Sequence, residues 1–207
     1  MGSRIMHAII ANRIVDILSI DDRTSFLLGS LAPDAVSTKD ISHFYIGNLS
    51  DYTRGIDFSG FIKKYSEHSN RDYLLGYYTH LIADDIWLTG FYKPWLKNRI
   101  EADHSILPSY HQDFKLLNGK LLNYYGSTDQ LRNTLNQDGE MIDLDEVKGR
   151  DVVAFLPYIL GDMEYDVEVI GQGLRIFTLN QIIGYIETSV ERGVFCIQQL
   201  RSGNDEF

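Results

Sequence analysis

His80 and Asp84 stand four residues apart in the string YLLGYYTHLIADD. On an α-helix that spacing puts both on one face about one turn apart, where an imidazole nitrogen and a carboxylate oxygen can converge on a single cation. A plain helix-surface pair, with the carboxylate accepting from the imidazole, satisfies the same spacing. The surroundings favour the ion. Leu74, Leu75, Leu81, Ile82, Ile86 and Trp87 bury this helix on most sides, and a histidine beside two carboxylates, Asp84 and Asp85, is costly to bury without a compensating partner. Asp85 points about 100° further around the helix, which suits an outer partner better than a ligand of the same ion. Gly76, one turn before His80, clears that face for a neighbouring helix or for an ion. His7, Asp34 and His43 are further candidates scattered as a metal site requires, although singly they also read as a core histidine, a turn residue and a loop residue.

These residues need elements to hold them. Ile5, Met6, Ile9, Ile10, Ile14, Ile17 and Leu18 recur at three- and four-residue steps and predict an amphipathic helix from Arg4 to Leu18, with His7 close to its apolar stripe. Asp21 or Asp22 can cap a short helix from Arg23 to Leu31 that stops at Pro33, so that Asp34 emerges just past its end. From Ala35 to Gly55 neither period is sustained, which predicts a long ordered loop carrying His43. A helix is expected from Asp57 to about His68. A stronger one, capped by Asn70 or Asp72, should begin near Arg71, run through the centre of the fold and be kinked or ended by Pro94. Further helices are expected over Ser109 to Tyr124, Thr128 to Gln137, Val152 to Leu160 with an interruption at Pro157, and Leu179 to Leu200. An acidic, β-branched stretch runs through Ile170, and Ser202 to Phe207 should fray. The aromatic set Tyr73, Tyr77, Tyr78, Trp87, Phe91, Tyr92 and Trp95 reads as core rather than as a substrate wall.

Composition narrows the function. The 207 residues carry 19 Lys and Arg against 29 Asp and Glu, a net charge of -10, which opposes binding to long nucleic acid or an anionic membrane. Hydrophobic residues at 44% favour a packed domain over disorder. The single cysteine, Cys196, excludes a thiolate zinc cluster and suits a reducing compartment. With neither a membrane span nor a signal peptide in view, a cytoplasmic protein is expected. No GxGxxG or P-loop pattern supports nucleotide binding, and no adjacent His-Asp pair supports an HD-type phosphohydrolase. One all-α domain over 1–207 is the expected architecture.

Four strings in order, MHAIIANRI with His7, FLLGSLAPDAV with Asp34, SHFYIG with His43 and YLLGYYTHLIADD with His80 and Asp84, resemble the zinc-dependent phospholipase C and S1/P1 nuclease group, within its bacterial branch of predicted hydrolases. The resemblance covers about the first 90 residues. It implies a multi-helix fold in which Asp34, His43, His80 and Asp84 surround one zinc, Asp84 bridges to a second ion held partly by His7, and Asp34 orients or deprotonates the attacking water. Phosphodiester hydrolysis is the implied reaction, on a small or lipid-like substrate. Two features depart from the pattern. Six residues precede His7, where secreted relatives use a processed terminal amine, and a third zinc lacks its ligands: Gly90 replaces a histidine, and His104 and His111 are followed at the glutamate position by Pro108 and Lys115. His104, His111 and Asp113 are substitutes to test. A catalytically inactive metal-binding protein and a metal-free helical interaction module are the alternatives, and His with carboxylate also accepts manganese, iron or nickel. Asp84→Asn should lower metal retention, measured by elemental analysis of the purified protein, more than Asp85→Asn does.

Overall fold

The computed structural model describes residues 3–68 and 71–202. The first helix, α1 (Arg4–Leu18), is capped by the Ser3 hydroxyl, which accepts from the Met6 amide at 3.3 Å. The second, α2 (Arg23–Leu31), is capped by the Asp22 carboxylate on the Ser25 amide at 2.9 Å. As expected, α2 ends at Leu31, before Pro33. Proline has a fixed φ and no N–H to place, so it is tolerated in a first turn, and a 3₁₀ turn over Ala32–Ala35 carries Asp34 directly off the end of α2.

The stretch expected as loop is more structured. A single helical turn, α3 (Lys39–Ser42), precedes His43, and two short strands, β1 (Tyr45–Ile46) and β2 (Gly55–Ile56), pair antiparallel with Tyr45 opposite Ile56. Two-residue strands are too short to show a period of two, which is why this ribbon escapes a reading of the pattern. Between His43 and the ribbon, Phe44 adopts the left-handed conformation at φ 52°. Its ring is held edge-on against Phe61 at 5.2 Å and Tyr77 at 6.4 Å. Packing of this kind is what sustains such a backbone.

Helix α4 (Phe58–Tyr65) starts at its Asp57 cap and ends earlier than expected. The central helix α5 (Arg71–Trp87) follows; Asn70, one of its two expected caps, lies outside the described residues. Pro94 does not end this helical run. Beyond Trp87 the chain widens into π-helical turns over Leu88–Leu96, which take up the missing proline donor, and continues as α6 (Lys97–Ala102). Helices α7 (Leu107–Tyr125) and α8 (Thr128–Leu135) are joined through Gly126 and Ser127 as expected. Pro157 likewise fails to interrupt α9 (Gly149–Asp162): it is exposed, so the carbonyl it leaves unpaired can meet water. The acidic stretch is a 3₁₀ turn, Val167–Gly171, and α10 (Leu179–Ser202) closes the fold. The expected fraying beyond Ser202 concerns residues 203–207, outside the described set, as are Met1 and Gly2. The architecture is all-α, with one small ribbon.

A contiguous core surrounds α5, which packs against α2 and α10. The α2–α5 contact is backbone on backbone. A Cβ at Gly76 would lie 1.9 Å from the Phe26 carbonyl oxygen, and one at Gly29 would lie 1.9 Å from that of Tyr73. Of the two uses foreseen for Gly76, it is a helix that fills the space. Gly76→Ala should therefore destabilise the protein by about 3 kcal/mol through overpacking, whereas Gly90→Ala, with nothing within 4 Å, should stay within about 1 kcal/mol of wild type. Chemical denaturation of the two variants measures the contrast.

Candidate metal centre

The approach of α2 to α5 sets the His80 ring. Nδ1 of His80 lies 2.7 Å from the Ser30 carbonyl oxygen. Since a carbonyl only accepts, Nδ1 carries the proton, and in the neutral ring Nε2 is left as a lone pair. His43 is oriented in the same way by α3, its Nδ1 lying 3.0 Å from the Lys39 carbonyl oxygen. The Ser42 hydroxyl ties this turn to the Asp34 segment by donating to the Pro33 carbonyl at 2.8 Å, and the Tyr77 hydroxyl ties it to α5 by donating to the Ser42 carbonyl. The outcome is electrostatically unusual. The two Nε2 atoms face each other at 3.2 Å, a contact that two lone pairs resist unless a cation sits between them.

Asp84 completes this group, with Oδ2 3.2 Å from His43 Nε2 and 3.6 Å from His80 Nε2. Its Oδ1 lies 3.3 Å from Nε2 of His7, whose ring is stacked on His80 at 3.7 Å. Asp84 is 1% exposed and His7 2% exposed, yet neither oxygen of Asp84 and neither nitrogen of His7 has a hydrogen-bond partner among the described residues. Leaving a buried carboxylate and imidazole so is costly. Asp34 approaches from the other side: its Oδ1 is 3.7 Å from His43 Nε2 and accepts from Lys39 Nζ at 2.8 Å. Burial raises the Asp34 carboxyl, but His80, Lys39, His7 and His43 outweigh it and leave it at about 2. For Asp84, burial is again opposed by His43, His7 and His80, which hold it well below the usual carboxylate range. Both carboxylates are thus ionised at neutral pH.

The five residues singled out by type and spacing come together. Donor atoms of His7, Asp34 and His80, and separately of His43, His80 and Asp84, lie within 4.8 Å of one another, so that two groups share His80. Imidazole nitrogens with carboxylate oxygens, orphaned in a buried site, form a donor set that suits zinc and accepts manganese, iron or nickel.

Residues 6–87 match the family model of zinc dependent phospholipase C. Over this segment the chain is similar to that family. The match spans all five residues, from His7 to Asp84, and supports a zinc-dependent phosphoesterase in general terms. No curated protein and no solved structure matches the chain.

Beside the cluster lies a cavity of about 680 Å³, whose walls include Asp34, Asp84, Lys39, Arg54, Tyr45 and Trp87. Residues beyond the segment supply the opposite wall, with Tyr92, Tyr110, His111 and Phe114 among them. The aromatic set divides accordingly. Tyr73, Tyr77 and Tyr78 are core, whereas Trp87 is both buried and wall-forming and Tyr92 lines the cavity. Phe91 stacks on Trp87 at 4.7 Å, and Trp95 packs on Phe177 at 6.0 Å. Lys39 and Arg54 carry no sequence signal of their own, because only the turn α3 and the ribbon bring them to the cavity.

The three substitute residues separate clearly. His104 is exposed at the start of a 3₁₀ turn, and His111 is exposed at the cavity wall; neither belongs to the two donor groups. Asp85 is half-buried and also outside them. Asp113 is 1% exposed and spent on structure: its carboxylate accepts from the backbone amides of Arg175, Ile176 and Phe177 at 2.7 to 3.1 Å. Asp113→Ala should cost about 3 kcal/mol in a denaturant titration, because it strands those amides. Its metal content per folded chain should equal that of wild type.

Proposed function

We propose that this protein is a zinc-dependent phosphoesterase that hydrolyses a small or lipid-like phosphodiester, with the whole chain, 1–207, acting as one helical domain. In this reading His7, Asp34, His43, His80 and Asp84 would hold one or two ions. The observation that carries it is the buried meeting of Nε2 of His43, Nε2 of His80 and the Asp84 carboxylate within 3.2 to 3.6 Å of one another. The family match over the same residues supports it. A cytoplasmic setting belongs to the same proposal, supported by the lone cysteine. Among the described residues no helix is long and apolar enough to cross a membrane.

The chemistry zinc supplies when bound is acidification of water and polarisation of a phosphoryl oxygen. The protein supplies the arrangement. Ser30 and Lys39 carbonyls fix the two imidazoles so that Nε2 is the available atom on each. Asp34, which lines the cavity and accepts from Lys39, would orient or deprotonate the attacking water in this reading. Tyr45 stacks on His43 at 5.6 Å, and with Trp87 it lines the cavity beside the cluster. Substrates with an apolar or aromatic group beside the phosphate suit the wall formed by Tyr92, Tyr110 and Phe114.

Elemental analysis of untagged protein, with His80→Ala alongside, tests the reading. Wild type should hold about one or more zinc per chain and turn over a generic phosphodiester, while the variant loses both. Wild type that retains no zinc, manganese or iron after reconstitution overturns the proposal in favour of a helical interaction module. Retained metal without turnover identifies a metal-binding protein that has no hydrolytic activity.

A further inference from the structure

Donor accounting along the cavity wall leaves several N–H groups unspent. An ammonium has three donors, and Lys39 gives two of them to Asp34, to Oδ1 and to the main-chain oxygen, each at 2.8 Å. Its side chain is 31% exposed and lines the cavity, so the third donor is left for an oxygen there. Arg54 is paired with Asp40, which engages Nη1 at 3.3 Å and also Nη2, leaving three of its five donors. Its guanidinium lies 4.1 Å over the Tyr45 ring, and Tyr45 in turn stacks on His43. The layered order His43, Tyr45, Arg54 sets this cation one ring away from the cluster. Trp87 provides a sharper observation. It is 0% exposed and lines the same cavity, and its indole N–H has no hydrogen-bond partner among the described residues. An indole N–H buried without an acceptor is costly, and natural sites normally supply one.

We infer that Lys39, Arg54 and Trp87 form a donor subsite for the non-bridging oxygens of an anionic phosphoryl ligand, beside Asp34 and Asp84 on the same cavity. The inference rests on the phosphoesterase reading and deepens it by naming the groups that receive the substrate's charge. The two cations and the indole offer an anion what the rest of this acidic chain withholds. All three sit on elements fixed by the core: Lys39 on α3, whose carbonyl also orients His43, Arg54 beside β2, and Trp87 at the end of α5. Because Lys39 is a cation next to a proposed cation site, removing its charge should leave zinc binding intact or strengthen it. A role limited to bracing Asp34 has the opposite sign.

The test titrates inorganic phosphate into the zinc-loaded full chain by calorimetry, for wild type, Lys39→Gln, Lys39→Arg and Trp87→Phe, with zinc measured in each sample. The expected result is that Lys39→Gln and Trp87→Phe keep the wild-type zinc ratio and bind phosphate about tenfold more weakly, with Lys39→Arg recovering most of the loss. Phosphate affinity unchanged in both Lys39→Gln and Trp87→Phe overturns the subsite alone. Zinc lost from Lys39→Gln together with unchanged phosphate affinity in Trp87→Phe does the same, since Lys39 is then a brace for Asp34. Wild type that holds no zinc overturns the phosphoesterase reading and the subsite with it.

Discussion

The main chains of α2 and α5 touch where Gly29 meets Tyr73 and Gly76 meets Phe26. A side chain at either glycine would hold the helices apart, and with them the Ser30 carbonyl from the His80 ring. The same contact brings the end of α2, and so Asp34, to the flank of α5 that carries Asp84. Everything else at the cluster adds to this contact: α3 is tied back to it through Ser42 and Tyr77, and α1 lays the His7 ring on His80. The π stretch after Trp87 and helix α7 both contribute residues to the cavity lining.

The cluster illustrates how a protein can store charge that it does not neutralise. Asp84 is buried and ionised, faced by three imidazoles at 3.2 to 3.6 Å, a state that a stability-driven sequence would replace with an apolar residue of similar volume. Asp113 shows the alternative use of a buried carboxylate, with its oxygens occupied by backbone amides. The two aspartates are equally hidden and differ only in whether their lone pairs are already used. That difference separates a structural carboxylate from one reserved for a ligand.

Long elements were legible in the sequence because burial and period coincide. In α1 the apolar steps mark the helix, and in α2 the Asp22 cap precedes a short apolar stretch, so their limits follow. His80 and Asp84 were legible for the same reason, being polar groups on a helix too apolar to expose them. Pro33 marks the end of α2 as expected and Pro94 lies in the π stretch that follows α5, whereas Pro157 misled because an exposed helix face absorbs its missing donor. Lys39, Arg54 and the ribbon were illegible because their position depends on a left-handed residue and two-residue strands, which no periodicity reports. Trp87 was seen as core, and it is; that it is also a cavity wall depends on which helix packs across from it.

The His80 and His43 imidazoles each meet a main-chain carbonyl, that of Ser30 and of Lys39 respectively, and His43 Nδ1 also lies 3.0 Å from the Ser42 hydroxyl. Carbonyls are common to every residue, so the rings' protonation pattern is written in the path of the backbone and is indifferent to which side chains occupy positions 30 and 39. Substitution scanning would therefore pass over the two groups that decide which nitrogen each histidine presents. Retuning these imidazoles requires moving a helix, and the glycine contact makes that displacement hard to achieve by small steps.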